Sequence, residues 1–117
     1  MARPQSLGEH GEALAAAYLR LLGCEVEASR VRLAGVEVDL VVRDGDARVL
    51  VEVKVRGRAD FGGAVHAVDR AKCERLRRAA LAIGRGAAGP VRIDVIAVDL
   101  EDDGLRLRHI RSAVTGN

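Results

Sequence analysis

Aromatic side chains are almost missing from this sequence: Tyr18 and Phe61 are the only two in 117 residues. Proteins that hold single-stranded nucleic acid by stacking bases need several ring platforms, so that class of binder is excluded. Cysteine is scarce too. Cys24 and Cys73 make no metal-type spacing with each other or with a histidine, and each falls among apolar residues of a predicted element. They read as two buried free thiols, which suits a reducing cytoplasm. No apolar run approaches membrane-spanning length, and no apolar signal region follows Met1-Ala2-Arg3-Pro4-Gln5-Ser6. The expectation is a cytoplasmic protein with no membrane association. Charge of one sign is lacking as well, since 19 basic residues barely exceed 17 acidic ones. A net charge of +2 does not argue for nucleic-acid binding by itself; the distribution of charge decides. His10, His66 and His109 are scattered, form no ligand pattern and read as non-catalytic.

Hydrophobic residues are plentiful. At 49% they can build a core without disulfides or structural metals, and the length fits one domain over residues 1–117. Ser6-Leu7-Gly8-Glu9 is a capping-box pattern that opens a helix running to about Leu22 and stopping at Gly23. Leu14, Ala17, Tyr18, Leu21 and Leu22 form its main apolar stripe, with Ala16 and Leu19 on the opposite side, which predicts burial on two sides. A strand is expected at about Cys24 to Arg32. Two clearer strands, Val36 to Arg43 and Ala47 to Val55, are joined by the hairpin chemistry of Asp44-Gly45-Asp46. A polar loop from Gly57 to Gly63 follows, then a second helix from about Asp69 to Ile83. An apolar strand from Val91 to Val98 and a last strand from Leu105 to Ile110 complete the chain. The order α-β-β-β-α-β-β predicts an α/β fold with a mixed central sheet flanked by helices, its core spanning about 8–98.

The hairpin carries the most information. Side chains repeat every two residues in a strand, so Glu37 and Asp39 share one face, as do Glu52 and Lys54. A four-residue loop at 44–47 pairs Arg43 with Arg48, hence Asp39 with Glu52 and Glu37 with Lys54. A two-residue loop shifts the register but keeps the four side chains on one face; only a three-residue loop separates them. Two carboxylates about 5 Å apart repel by roughly 3 kcal/mol at an effective dielectric near 20. A divalent cation offsets such repulsion, because hard cations prefer carboxylate oxygens. The alternative is an exposed ribbon with a Glu37–Lys54 pair and no function. Against it, the strands' other face is almost continuously Val and Leu, as in a central hairpin.

Asp39 followed by Glu52-Val53-Lys54 resembles the signature of the PD-(D/E)xK nuclease superfamily, on a restriction-endonuclease-like core of the right order. Within it, Gly8, Gly11-Glu12, Glu37-Val38-Asp39-Leu40-Val41, Glu52-Val53-Lys54-Val55-Arg56, Phe61-Gly62, Lys72 and Arg92-Ile93-Asp94-Val95 resemble the YraN family of uncharacterised bacterial proteins. That family is related to archaeal Holliday-junction resolvases, which cleave branched DNA with a metal. The resemblance implies that Asp39 and Glu52 hold Mg²⁺ (or Mn²⁺), helped by the Val53 carbonyl, with Glu12 as a further metal ligand. Lys54 would stabilise developing negative charge, completing a catalytic set of Asp39, Glu52 and Lys54, with Glu37 accessory.

Glu12 is notable from the residues alone, since it stands in a column with Ala16 and Leu19, where a carboxylate needs a partner. That partner is either the metal or a neighbouring arginine. In the second helix, Arg70, Arg77 and Arg78 read as a solvated face. Lys72 lies within the apolar stripe; with Arg32, Arg56 and Arg75 it is a candidate for contacting nucleic-acid phosphates. The leading expectation is a Mg²⁺-dependent DNA endonuclease acting on branched or structured substrates. A non-catalytic nucleic-acid-binding accessory protein comes second, and a small interaction module with an ion-paired acidic face third. Symmetric cutting of two strands needs two sites, so a homodimer is a candidate assembly.

Overall fold

The computed structural model describes residues 6–57 and 70–113. Helix α1 (Leu7–Leu21) begins as its capping box requires: Ser6 Oγ accepts the Glu9 N–H at 3.2 Å, and Glu9 Oε1 accepts the Ser6 N–H at 2.9 Å. It ends at Gly23, whose φ of 88° is a left-handed value that glycine adopts without a Cβ penalty. Strands β1 (Glu25–Leu33), β2 (Val36–Asp44) and β3 (Ala47–Arg56) follow, then α2 (Arg70–Gly84), β4 (Val91–Glu101) and β5 (Gly104–Ile110). The order is the expected one. The expected Asp69 cap, the Phe61-Gly62 motif, His66 and the loop beyond Gly57 lie outside the described residues.

The five strands form one mixed sheet in the order β1-β2-β3-β4-β5. Neighbours are antiparallel except β3 and β4, which run parallel and are linked through α2. The β2–β3 hairpin closes with Asp44 opposite Ala47 and Arg43 opposite Arg48, around Gly45 at φ 62°. The Arg43–Arg48 register is one of those anticipated, although the loop itself has two residues rather than four.

Each face of the sheet carries one helix. Val49, Val51 and Val53 of β3 join Leu40, Val42, Ile96 and Val98 beneath Ala15, Ala16 and Leu19 of α1. Leu50 joins Val36, Val38, Val41 and Ile93 beneath Leu76 and Ala79 of α2. Each such Val or Leu, fully buried, contributes roughly 1.5–3 kcal/mol. Both faces of β3 are covered, which explains its nearly unbroken run of valine and leucine.

The apolar stripe predicted for α1 holds in part: Leu14 and Tyr18 pack against the core, but Ala17, Leu21 and Leu22 are exposed. Its buried side is Gly11, Ala15, Ala16 and Leu19, whereas Leu21 is 88% and Leu22 49% exposed. Small residues let the helix lie close on β3: a Cβ added at Gly11 would overlap Val55 Cγ2. Close approach outweighs side-chain size here, so the larger leucines fall outside the contact. Cys24 is buried and Cys73 half-buried, and neither is in a disulfide. Among the described residues, no helix is long and apolar enough to cross a membrane.

Candidate functional site

The hairpin ladder stops early. β2 and β3 pair from Asp44–Ala47 only as far as Leu40–Val51, after which β2 continues along β1 and β3 along β4. Asp39 stands at this fork. Its Oδ2 accepts the Val53 N–H at 2.8 Å, so a side chain replaces the next rung of backbone pairing. The anticipated pairings of Asp39 with Glu52 and of Glu37 with Lys54 are therefore absent from the ladder.

Glu52 points from β3 toward the α2 side, on the same face as Leu50. Its side chain is only 3% exposed, yet Oε1 has no hydrogen-bond partner. Lys54 Nζ lies 3.3 Å from Oε2, and Lys72 Nζ lies 3.7 Å from Oε1 while donating to the Glu37 carbonyl at 3.2 Å. Burial first, and the Glu52 charge second, push the Asp39 carboxyl from 3.8 up to about 6; the Val53 N–H and the more distant Lys72 oppose the rise. The two carboxylates are thus brought together in a poorly hydrated place, as the hairpin pattern implied, with two ammonium groups over one of them.

Glu37 does not join them, which corrects the expectation of four side chains on one face. Val36 and Val38 both belong to the α2 layer, whereas Leu40 and Val42 belong to the α1 layer. Positions 38 and 40 would share a face in a regular strand, so alternation breaks at Asp39. Glu37, between Val36 and Val38, leaves on the α1 side. There the Arg30 guanidinium is held above its ordinary value, chiefly by its hydrogen bond to Glu12, with weaker contributions from Glu9 and Glu37. Arg30 itself has φ 51°, a strained conformation for a residue with a side chain, in the stretch of β1 paired with β2 around Asp39.

Glu12 has the arginine partner that sequence reasoning offered as one option: Arg30 Nε donates to its Oε1 at 2.8 Å. Among the described residues, no three His, Cys, Asp or Glu side chains are grouped so as to hold a metal ion, and Glu12 does not make a third with Asp39 and Glu52. Of the candidate phosphate contacts, Arg32 donates to the Gly35 carbonyl at 2.9 Å and Arg56 to the Val55 carbonyl at 3.0 Å. Arg75 is exposed on α2. Only Lys72 sits directly over the carboxylates.

Comparison with known proteins places this arrangement in a family. The description "Uncharacterised protein family UPF0102" matches residues 11–98, a span that holds Asp39, Glu52, Lys54 and Lys72. The chain belongs to UPF0102. This agrees with the YraN resemblance read from the motifs. A UPF0102 protein of Solibacter usitatus is 47% identical over 103 residues, covering 84% of this chain and 78% of its own. One from Frankia casuarinae is 39% identical over 117 residues, covering 97% and 99%, and one from Beutenbergia cavernae is 42% identical over 115 residues, covering 95% and 98%.

Sequence reasoning missed a buried polar network that runs from Tyr18, Arg92 and Asp94 within the UPF0102 span to His109 and Ser112 beyond it. Asp94 is fully buried on the α1 face of β4. It accepts from Arg92 Nε at 3.1 Å and from the Ser112 N–H at 3.0 Å, and meets His109 Nε2 at 2.7 Å. A carboxylate accepts only, so Nε2 carries the proton, and Tyr18 Oη can donate to Nδ1 at 3.0 Å. Arg92 also reaches Asp44 at 2.8 Å and holds that carboxyl below its usual range. The network ties α1, the hairpin tip, β4 and β5 together. The signal was present: a carboxylate inside the apolar run Val91 to Val98 requires partners.

Proposed function

We propose that this UPF0102 protein is a cytoplasmic, Mg²⁺- or Mn²⁺-dependent endonuclease that hydrolyses phosphodiester bonds in branched or otherwise structured DNA. The observation that carries the reading is Glu52 Oε1, a buried carboxylate oxygen with no hydrogen bond, beside an Asp39 carboxyl that burial and Glu52 make reluctant to ionise. A buried anionic oxygen without a hydrogen bond, met only by the Lys72 ammonium at 3.7 Å, costs about 1–3 kcal/mol, and a divalent cation shared with Asp39 relieves both strains at once. The donor set, two carboxylates of hard oxygen, fits Mg²⁺ or Mn²⁺ better than softer ions.

Asp39 and Glu52 would hold the ion. When bound, such a cation supplies Lewis-acid chemistry, neutralising phosphate charge and making water a nucleophile near neutral pH. The chain's own residues do the rest. The Val53 N–H fixes the Asp39 carboxylate at the fork between the strands. Lys54, now paired with Glu52 Oε2, is placed to turn its ammonium toward a phosphoryl oxygen as negative charge develops there. Lys72, from the opposite helix, adds a second positive charge over the same spot.

The test is a substrate panel of four-way junctions, flaps, nicked duplex and single strands, with Mg²⁺ or Mn²⁺. The wild type should nick or resolve at least one structured substrate. Glu52→Gln and Lys54→Ala should abolish cutting while leaving binding in place, because affinity comes mainly from basic side chains on phosphates. Binding without cutting under either metal would make the protein a non-catalytic accessory factor. No binding to any substrate at low salt would leave only an interaction module.

A further inference from the structure

The near-neutral net charge conceals a strong segregation. Between Arg70 and Arg85 the sequence carries six basic residues and one acidic residue, leaving 13 basic against 16 acidic in the rest of the chain. Helix α2 buries Leu76 and Ala79 against the sheet, with Ile83 packed beside them. At 3.6 residues per turn, positions 70, 77 and 78 gather on the side away from that contact, and Arg85 follows in the turn directly after the helix. Arg70, Arg78 and Arg85 are exposed there, and among the described residues no hydrogen bond or ion pair engages them. Glu74 is the one acid on this face and is taken up by Arg77 at 2.6 Å.

Such density of like charge on one helix face opposes folding unless a partner neutralises it. Five of the six cations are arginines, whose planar fork suits phosphate oxygens. At 1.5 Å rise per residue the face runs about 22 Å, the length of roughly six base-pair steps. It starts at Arg70, two residues before Lys72, whose Nζ lies 3.7 Å from Glu52 Oε1 on the inner side of the helix. Neither aromatic residue belongs to α2, so the face offers no stacking platform for single strands.

We propose that the outer face of α2, through Arg70, Arg77 and Arg78, and Arg85 in the turn after it form a phosphate track for the backbone of a nucleic-acid duplex that extends away from Asp39 and Glu52. The proposal rests on the nucleic-acid reading of the site, but not on hydrolysis there. Arg77 is held by Glu74 until the duplex competes for it.

The experiment measures affinity of the full chain for a labelled blunt DNA duplex and for a four-way junction across a salt series, with cutting assayed in parallel. Combined replacement Arg70→Gln, Arg78→Gln and Arg85→Gln should reduce the slope of log affinity against log salt by roughly 2–3, about 0.9 per phosphate lost. Glu74→Gln should act oppositely, tightening binding and raising the slope by up to about 0.9, a gain that misfolding does not produce. If the slopes move as stated but nothing is cut, the track stands and the hydrolytic reading falls. If the wild type cuts while the triple variant keeps wild-type affinity and slope, the track is overturned and hydrolysis stands. If polyglutamate competes as well as duplex and the same variants weaken it equally, the face serves an acidic protein partner and the proposal is overturned.

Discussion

Replacing Asp39 with asparagine removes a charge while keeping the size of the side chain and an acceptor for the Val53 N–H. In the folded protein, burial and then Glu52 raise the Asp39 carboxyl from 3.8 to about 6. Between about pH 4 and pH 6 the folded chain therefore keeps a proton that the unfolded chain has released, so stability falls as pH rises through that window and remains lower above it. The difference between the two values corresponds to about 3 kcal/mol. In the absence of divalent metal, Asp39→Asn should escape this loss and be more stable than the wild type by roughly 1–3 kcal/mol near pH 7, with the advantage vanishing near pH 4. Added Mg²⁺ or Mn²⁺ should stabilise the wild type but not the variant. Urea unfolding followed by far-ultraviolet circular dichroism is the suitable assay, because the chain has no tryptophan to report by fluorescence. If Asp39→Asn were less stable near neutral pH by more than about 1 kcal/mol, with the wild-type pH dependence intact, the reasoning would fail. Asp39 would then be an anionic anchor for the Val53 N–H, needing no cation.

Gly11→Ala should cost about 1–3 kcal/mol in urea unfolding, because its Cβ overlaps Val55 Cγ2 and α1 must lift off β3. Asp94→Ala should destabilise by roughly 2–4 kcal/mol, since Arg92, His109 and the Ser112 N–H lose a buried acceptor together; a change under about 0.5 kcal/mol would show that water or rearrangement replaces it. Leu21→Lys should change stability by less than about 0.5 kcal/mol in the same assay, because that leucine is 88% exposed.

Much of this was legible in the sequence because it depends on local patterns. The capping box at Ser6 and Glu9, the stop at Gly23 and the turn at Gly45 are written within a few residues each, and so is the order of the elements. The meeting of Asp39 with Glu52 followed from period-two alternation on a hairpin. What alternation could not foretell was its own interruption. The fork after Leu40–Val51 arises because β2 stays with β1 while β3 stays with β4, a tertiary choice that sends Glu37 to the opposite side of the sheet. The packing side of α1 was read only in part for a similar reason: Leu14, Ala16, Tyr18 and Leu19 do face the core, but ranking by hydrophobic size added Leu21 and Leu22, whereas contact with Val55 needs the bare backbone of Gly11. Glu12 and Arg30 are 18 residues apart, and no local rule chooses that arginine over another partner. The Tyr18–His109–Asp94 chain spans even more sequence, although the buried Asp94 announced the need for it.

The measurement that bears most directly on the central claim is the anomalous scattering of Mn²⁺ in crystals of the wild type and of Glu52→Gln. A peak is expected between the Asp39 carboxylate and Glu52 Oε1, with Lys54 drawn away from Glu52 and the peak lost in the variant. A wild-type map without manganese there, in which Lys54 and Lys72 still neutralise Glu52, would contradict it.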